Sequence, residues 1–440
     1  MNRRIGGAGR ALRGEITVPG DKSISHRAVM LGALSEGTTH VKGFLNGADC
    51  LSTIGCFRKM GIDIRLSADE TELWIEGKGL HGLKAPGEML DCGNSGTTTR
   101  LLSGILAAQS FTAELTGDAS IQKRPMGRVI RPLTEMGARI SSLQGNDCAP
   151  LHIEGSRLHG IRYDSPVASA QVKSAILFAG LYADSAATVH EPALSRDHSE
   201  RMLRALGAEV ETKILPDGSA EITVQPAAKL MAPAETLLVP GDISSAAYFI
   251  SAAMLVPGSE LLIRNVGINP TRDGILEVYR NMGADITLLN SRMSGSEPVA
   301  DLLVKHSSLK GTVIGGSVIP RLIDELPMIA AVAAAAEGET VIRDAAELKV
   351  KESNRIRVMT EGLTALGIDC RETEDGMVIR GQGAGVSLKS AEIDSHKDHR
   401  IAMTFAVLGL LQKEGELMIR DADCIDISYP TFFEDLEKIC

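Results

Sequence analysis

The chain has 440 residues, and its 46 lysines and arginines against 56 aspartates and glutamates give a formal charge of −10. That balance excludes a general nucleic-acid or anionic-surface binder, including a ring that closes around DNA. At roughly 150 residues per domain the length predicts two or three domains, and with 44% apolar residues but only 3% aromatic ones the cores must be built from Ala, Leu, Ile, Val and Met.

Taken in chain order, six segments open alike, each with a polar or glycine-containing turn followed by an almost wholly apolar helix. They are GDKSISHRAVMLGAL, GNSGTTTRLLSGIL, SAQVKSAILFAGL, GDISSAAYFISAAML, IDELPMIAAVAAAA and HKDHRIAMTFAVLGLL. Helices apolar on every side must be buried. A strand-like run follows each opening, as in TTHVKGF, FTAELTG and ELLIRNV, and then an amphipathic helix such as RPMGRVIRPLTEMG or RDHSERMLRALG. Five of these second helices end on Met-Gly or Leu-Gly, at Gly61, Gly137, Gly207, Gly283 and Gly367, and the last unit ends at YPTFFEDLEKI. A glycine followed by alternating side chains is how a helix hands over to a strand.

The expected unit is therefore strand, buried helix, strand, amphipathic helix, strand, strand, repeated six times. The turn VPGD occurs at Val18–Asp21 and again at Val239–Asp242, and the segments after both echo each other down to GCFRKMGIDI and EVYRNMGADI. Two pseudo-equivalent halves of three units each, divided at these turns, are predicted.

Basic residues gather where the buried or amphipathic helices begin: Lys22, Arg27, Arg124, Lys173, Arg196, Lys351, Arg355 and Arg400. Helix N-termini already favour anions through unpaired N–H groups. Cations added there suit a substrate, or a pair of substrates, carrying several phosphates or carboxylates. The alternative is local pairing of Lys22 with Asp21, Arg196 with Asp197 and Arg355 with Glu352. The chain has no GxxxxGK[ST] phosphate loop and no GxSxG elbow, and GQGAG near Gly381 lacks a dinucleotide-binding context. His396 and His399 have no third ligand in view, so no metal is expected, and His26 and His198 are read as hydrogen-bonding groups at helix starts. The cysteines (Cys50, Cys56, Cys92, Cys148, Cys370, Cys424 and Cys440) are odd in number and never form CxxC, and no long apolar run follows the charged N-terminus. A reduced, cytoplasmic protein is expected.

The segments PGDKSISHR (19–27), GNSGTTTR (93–100), KRPMGR (123–128), SAQVKSA (169–175), SRDH (195–198), IDELP (323–327), VKESNR (350–355) and DHRIAM (398–403) together resemble the 5-enolpyruvylshikimate-3-phosphate (EPSP) synthase family, in its second bacterial class. The resemblance implies an α/β fold, a two-domain inside-out α/β barrel with helices inside and sheets outside, three units per domain. Residues 1–20 would join 241–440, 21–240 would form the other domain, and the active site would lie in the cleft between them. It also implies transfer of the enolpyruvyl group of phosphoenolpyruvate to the 5-hydroxyl of shikimate 3-phosphate, with release of phosphate, no cofactor, and a monomer that binds neither nucleic acid nor membrane.

On the matching positions, Lys22, Ser23, Arg27, Ser169, Ala170 (through its backbone), Gln171, Arg196, Asp324 and Lys351 would hold shikimate 3-phosphate. Lys22, Gly96, Arg124, Gln171, Arg355 and Arg400 would hold phosphoenolpyruvate, with Asp324 as base, Glu352 as proton donor and Lys22 assisting. Asp324 and Glu352 could instead be helix caps. Two positions bear on the match. Ile427 in ISYP stands where enteric-type members carry a lysine, so one phosphate contact comes from elsewhere, and Gly96 matches the glyphosate-sensitive members. The sister reaction, enolpyruvyl transfer to UDP-N-acetylglucosamine, is the alternative; its reactive loop cysteine has no counterpart in DASIQKRPMG.

Overall fold

The computed structural model describes residues 1–6 and 10–439, so Cys440 lies outside the described residues. The chain divides into two compact units. The first comprises Met1–Pro19, Pro240–Met293 and the chain from Pro298 onward; the second comprises Gly20–Val239 together with Ser294–Glu297. Each has its own apolar core.

Twelve α-helices lie among the described residues. The second unit holds α1 (Lys22–Leu34), α2 (Ala48–Lys59), α3 (Gly96–Leu106), α4 (Gly127–Glu135), α5 (Ala170–Gly180) and α6 (His198–Ala205). The first unit holds α7 (Ile243–Leu255), α8 (Gly274–Asn281), α9 (Leu326–Ala334), α10 (Arg355–Ala365), α11 (His399–Gly409) and α12 (Phe432–Ile439). The odd-numbered helices are the six apolar ones. All 13 residues of α7 and all 9 of α9 are buried, because neither helix has a polar face to turn to water. The even-numbered helices bury one side only, as their mixed sequences require.

The five glycines that end α2, α4, α6, α8 and α10 have φ between 86° and 97°. In each case the next residue's N–H reaches back to a carbonyl in the last turn, as from Ile62 to Phe57 and from Ala284 to Tyr279. This left-handed stop turns every second helix into its strand at the same place.

Among the described residues the strands form six separate open sheets, three per unit, and none closes on itself. In the sheet after α3, strand 90–91 runs parallel to 112–116, which pairs antiparallel with 151–154, and that in turn with 139–142. The sheets around 187–191 and 337–342 repeat this order. Chain ends complete the others. Strands Leu230–Met231 and Leu237–Leu238 return to pair parallel with Ser35–Lys42, so the second unit's last segment supplies the lead strands of its first sheet. In the first unit, Arg3–Ile5 pairs antiparallel with Leu417–Arg420 and completes the last sheet. Among the described residues no helix is long and apolar enough to cross a membrane.

Candidate active site

Five of the odd-numbered helices begin with a side-chain cap. Asp21, Ser95, Ser169, Asp242 and Asp398 accept from main-chain N–H groups of α1, α3, α5, α7 and α11. Lys22, Ser23, Gly96, Ala170, Gln171 and Arg400 sit in the first turn after such starts, whereas Arg124, Arg196, Asp324, Lys351, Glu352 and Arg355 precede or open α4, α6, α9 and α10, and the clusters of the two units are built differently.

In the second unit, Asp21 accepts from Ile24 N at 2.9 Å, so its carboxylate serves the cap. Lys22 pairs instead with Asp49, at the start of α2, at 2.5 Å. Arg27 is 2% exposed. It donates to Ser199 Oγ at 2.7 Å, to Ser174 Oγ at 2.8 Å and to the Ser23 carbonyl at 3.0 Å, and among the described residues no carboxylate accepts from it. Burial draws its pKa down from the ordinary arginine value to about 10, against the opposing pull of Glu200. Arg196 reaches Ser23 Oγ at 3.3 Å, while the neighbouring Asp197 pairs with Arg201 in the same helix at 2.8 Å.

The starts of α3 and α5 meet through Gln171, which accepts from Arg100 Nη1 at 2.6 Å and donates to Thr97 Oγ1 at 3.0 Å. Arg124 holds the turn before α3, donating to the Asn94 side chain at 2.9 Å and its carbonyl at 3.3 Å. Gly96 opens α3 beneath both guanidinium groups. A Cβ there would lie 2.9 Å from Arg100 Nη1 and 3.5 Å from Arg124 Nη1. Ser169 caps α5, and Ala170 is its first residue, where helix geometry leaves the N–H without an intrahelical acceptor.

A buried hydroxyl chain ties α1, α2 and α3 together. His26 Nδ1, Thr53 Oγ1, Thr98 Oγ1 and Ser95 Oγ follow one another at 2.7 Å steps. Burial first, then Lys22 and Arg27, hold the His26 pKa well below the ordinary histidine value, so it is a neutral hydrogen-bonding group. His198 has a similar helix-start role, with Nδ1 2.8 Å from Glu297 Oε1. Lys173 departs from the expected anion-facing set. It is completely buried, 3.2 Å from Glu191 and 2.7 Å from Glu200, because it lies in the second turn of α5 and points into the unit.

In the first unit the cations rest on carboxylates. Arg355, at the start of α10, is 1% exposed. It donates to Asp398 at 2.8 and 3.2 Å and to Glu352 at 2.5 Å, and lies 3.5 Å from Asp324 Oδ1. Burial alone would lower its pKa, but Asp398 and Glu352 outweigh this and raise it. Lys351 is also 3.5 Å from Asp324 Oδ1, and Arg400 donates to the Asp324 carbonyl at 3.2 Å. The capping alternatives do not form. The residue before α9 is Glu325, which makes no side-chain cap bond, and the cap of α10 is Asn354.

Several site neighbours escaped the sequence reading. Arg100 lies four residues after Gly96, one turn along the same helix face, a spacing that could have pointed to it. Glu325 follows Asp324 directly. It binds Ser244 and lies 3.5 Å from Arg272, which also pairs with Asp242 at 3.5 Å. Asp398 is the acid that begins DHRIAM, and it both caps α11 and holds Arg355. No local signal pointed to Arg272 or Asp49. Among the described residues, no three or more His, Cys, Asp or Glu side chains gather so as to hold a metal ion.

The family model described as EPSP synthase (3-phosphoshikimate 1-carboxyvinyltransferase) matches residues 7–436. The chain belongs to the EPSP synthase family. A 3-phosphoshikimate 1-carboxyvinyltransferase from Thermoanaerobacter sp. (strain X514) is 54% identical over 430 residues, covering 98% of each chain. The EPSP synthase of Acinetobacter baumannii superposes with a TM-score of 0.88 at 48% identity, covering 100% of this chain and 98% of that one. The enolpyruvyl transferase NikO from Streptomyces tendae matches at a TM-score of 0.80 and 18% identity, covering 99% of this chain and 96% of that one, a likeness of fold. The segments that carry the family resemblance, PGDKSISHR, VKESNR and DHRIAM among them, are those that begin α1, α10 and α11 and set Lys22, Arg355 and Arg400 in place.

Proposed function

We infer that this member of the EPSP synthase family transfers the enolpyruvyl group of phosphoenolpyruvate to the 5-hydroxyl of shikimate 3-phosphate, releasing phosphate, in the shikimate pathway to chorismate. The observation that carries this reading is the 54% identity, over 98% of the chain, to a relative named for that reaction. Both substrates are multiply charged anions, and the two cation clusters suit them. We assign shikimate 3-phosphate to Lys22, Ser23, Arg27, Ser169, the Ala170 backbone, Gln171, Arg196, Asp324 and Lys351. Phosphoenolpyruvate goes to Lys22, Gly96, Arg124, Gln171, Arg355 and Arg400, the arginines offering planar forks to its carboxylate and phosphate. The two clusters act on one substrate pair, in a monomeric, cytoplasmic enzyme that needs no cofactor because the leaving group is already in the substrate.

The chemistry requires one base and one acid. Asp324 takes the proton of the 5-hydroxyl as its oxygen attacks C2, while Glu352 gives a proton to C3, forming a tetrahedral adduct. The adduct then collapses: C3 returns its proton to Glu352, the C2–phosphate oxygen bond breaks, and Asp324 gives its proton to the departing phosphate. Asp324 and Glu352 both lie against the Arg355 guanidinium. A proton gained by one as the other loses it leaves the charge around that cation unchanged. Glu352 accepts a hydrogen bond from Arg355 in the structure, which holds its carboxyl group beside that cation.

Phosphate release from phosphoenolpyruvate is expected with shikimate 3-phosphate and not with UDP-N-acetylglucosamine; release only with the sugar nucleotide overturns the substrate assignment. Replacing Asp324 with Ala is expected to cut turnover by about 10²- to 10⁴-fold, the usual weight of a general base. Glyphosate is expected to inhibit in competition with phosphoenolpyruvate, since Gly96 leaves that pocket open.

A further inference from the structure

The Lys173 cluster has no role in the reaction just described, yet it is the most deeply buried set of charges in the second unit. Lys173, Glu191 and Glu200 are all 0% exposed. Ion pairs of this kind are costly to bury and are weak evidence for stability. What distinguishes this one is where Glu191 places its remaining bonds. One oxygen accepts from Ser169 N at 2.9 Å and the other from Ser195 N at 3.2 Å, while Ser195 Oγ lies 2.8 Å from both. Lys173 closes the set by donating to the Ser195 carbonyl at 3.1 Å.

Ser169 and Ser195 belong to different loops. The first caps α5 and leads into Ala170 and Gln171; the second precedes Arg196 and α6. Glu191 ends strand Ala187–Glu191, an inner strand of its sheet, paired on both sides. One carboxylate on a rigid strand thus fixes the main chain of both loops, through charge-assisted bonds stronger than neutral ones.

We propose that Glu191, held in place by Lys173, is a positioning residue for shikimate 3-phosphate: it sets Ser169, with the Ala170 backbone that follows it, and Arg196 in register with each other. The proposal rests on the substrate assignment above and deepens it. Glu191 touches no substrate. Its loss acts on the shikimate 3-phosphate contacts of Ser169, Ala170 and Arg196; Gln171, which also serves phosphoenolpyruvate, is held separately by Arg100 and Thr97, and Arg124, Arg355 and Arg400 do not bond to this cluster.

The test is steady-state kinetics with each substrate varied in turn, on the wild type, Glu191→Gln and the double variant Glu191→Gln/Lys173→Met. For Glu191→Gln the KM for shikimate 3-phosphate is expected to rise about tenfold or more, as for a lost bond to a charged acceptor, with KM for phosphoenolpyruvate within about twofold of wild type. The double variant also removes Lys173 and leaves the buried Glu200 without its counter-ion, so Tm is expected to fall further with little further rise in KM for shikimate 3-phosphate. A role confined to stability predicts the opposite: lower Tm and active fraction with both KM values unchanged, or KM rising in step with the loss of Tm. Either result overturns the proposal. Ser195→Ala, which removes only the hydroxyl contacts, is expected to raise the same KM by a smaller factor, and it carries the test if Glu191→Gln fails to fold. A wild type with no shikimate 3-phosphate turnover overturns the substrate reading and this proposal together; a working wild type beside an unchanged Glu191→Gln overturns the proposal alone.

Discussion

Arg27 and Arg355 are the same residue in equivalent settings, each at most 2% exposed near the start of a helix, one in each unit. Their surroundings are opposite. Arg355 is ringed by Asp398, Glu352 and Asp324, and its pKa rises because these outweigh burial. Arg27 rests on two hydroxyls and a carbonyl, and burial lowers its pKa to about 10. A guanidinium among carboxylates is already neutralised and is fixed in orientation. One among neutral oxygens keeps its full attraction for an incoming anion, and the fold bears the cost of desolvating it. For Arg27 the unfolded chain holds the proton more tightly than the folded one. Its cost is therefore fully present below about pH 10, and stability recovers only as pH rises from there toward the ordinary arginine value.

The contrast is broken most directly by removing each cation. Arg355→Met leaves Asp398, itself completely buried, without its counter-ion. A loss of about 3–5 kcal/mol and no measurable turnover are expected, the first read by denaturant unfolding. Arg27→Met is expected to cut kcat/KM for shikimate 3-phosphate about 100-fold while Tm stays level or rises, because a desolvated charge with no carboxylate partner has been removed. Equal Tm losses in the two variants would show that the two sites are not electrostatically different after all.

Gly96→Ala tests the second unit at its other end. The new methyl group would stand 2.9 Å from Arg100 Nη1 and would have to displace that guanidinium from Gln171. A rise of roughly tenfold in KM for phosphoenolpyruvate is expected, with weaker glyphosate inhibition and little change in KM for shikimate 3-phosphate. Equal shifts in both constants would mean that Arg100 serves both substrates.

The repeats, the buried helices and their starts could be read from the sequence because each signal recurs: an apolar helix, a cap, a glycine stop. The cations at these starts were legible for the same reason. Their partners were legible only in part. Arg355 does pair with Glu352, three residues before it, but Lys22 pairs with Asp49 rather than Asp21, because Asp21 caps α1, and Arg196 also reaches Ser23, far from it in sequence. Lys173 resembled its neighbours in SAQVKSA, yet one turn of helix carries it from the loop into the interior between Glu191 and Glu200. The strands that complete two of the sheets, Arg3–Ile5 beside Leu417–Arg420 and Leu230–Met231 beside Ser35–Lys42, come from far along the chain and leave no local trace.

The smallest expected effect sharpens the same contrast. Ser353 donates to Asp398 Oδ2 at 3.0 Å, the oxygen that also accepts from Arg355 Nε at 2.8 Å. Ser353→Ala removes one neutral donor and leaves the two Arg355 bonds to this carboxylate. The expected loss is about 1.5–3 kcal/mol of stability, the usual net worth of a hydrogen bond to a charged group, with KM for phosphoenolpyruvate changed less than about threefold. If the first unit's arginine is oriented by charge, its carboxylate does not need the hydroxyl to keep its place. A larger rise in that KM than in any Arg27-dependent constant would instead mean that Asp398 is aimed by Ser353, and that hydroxyls govern the cation geometry of both units.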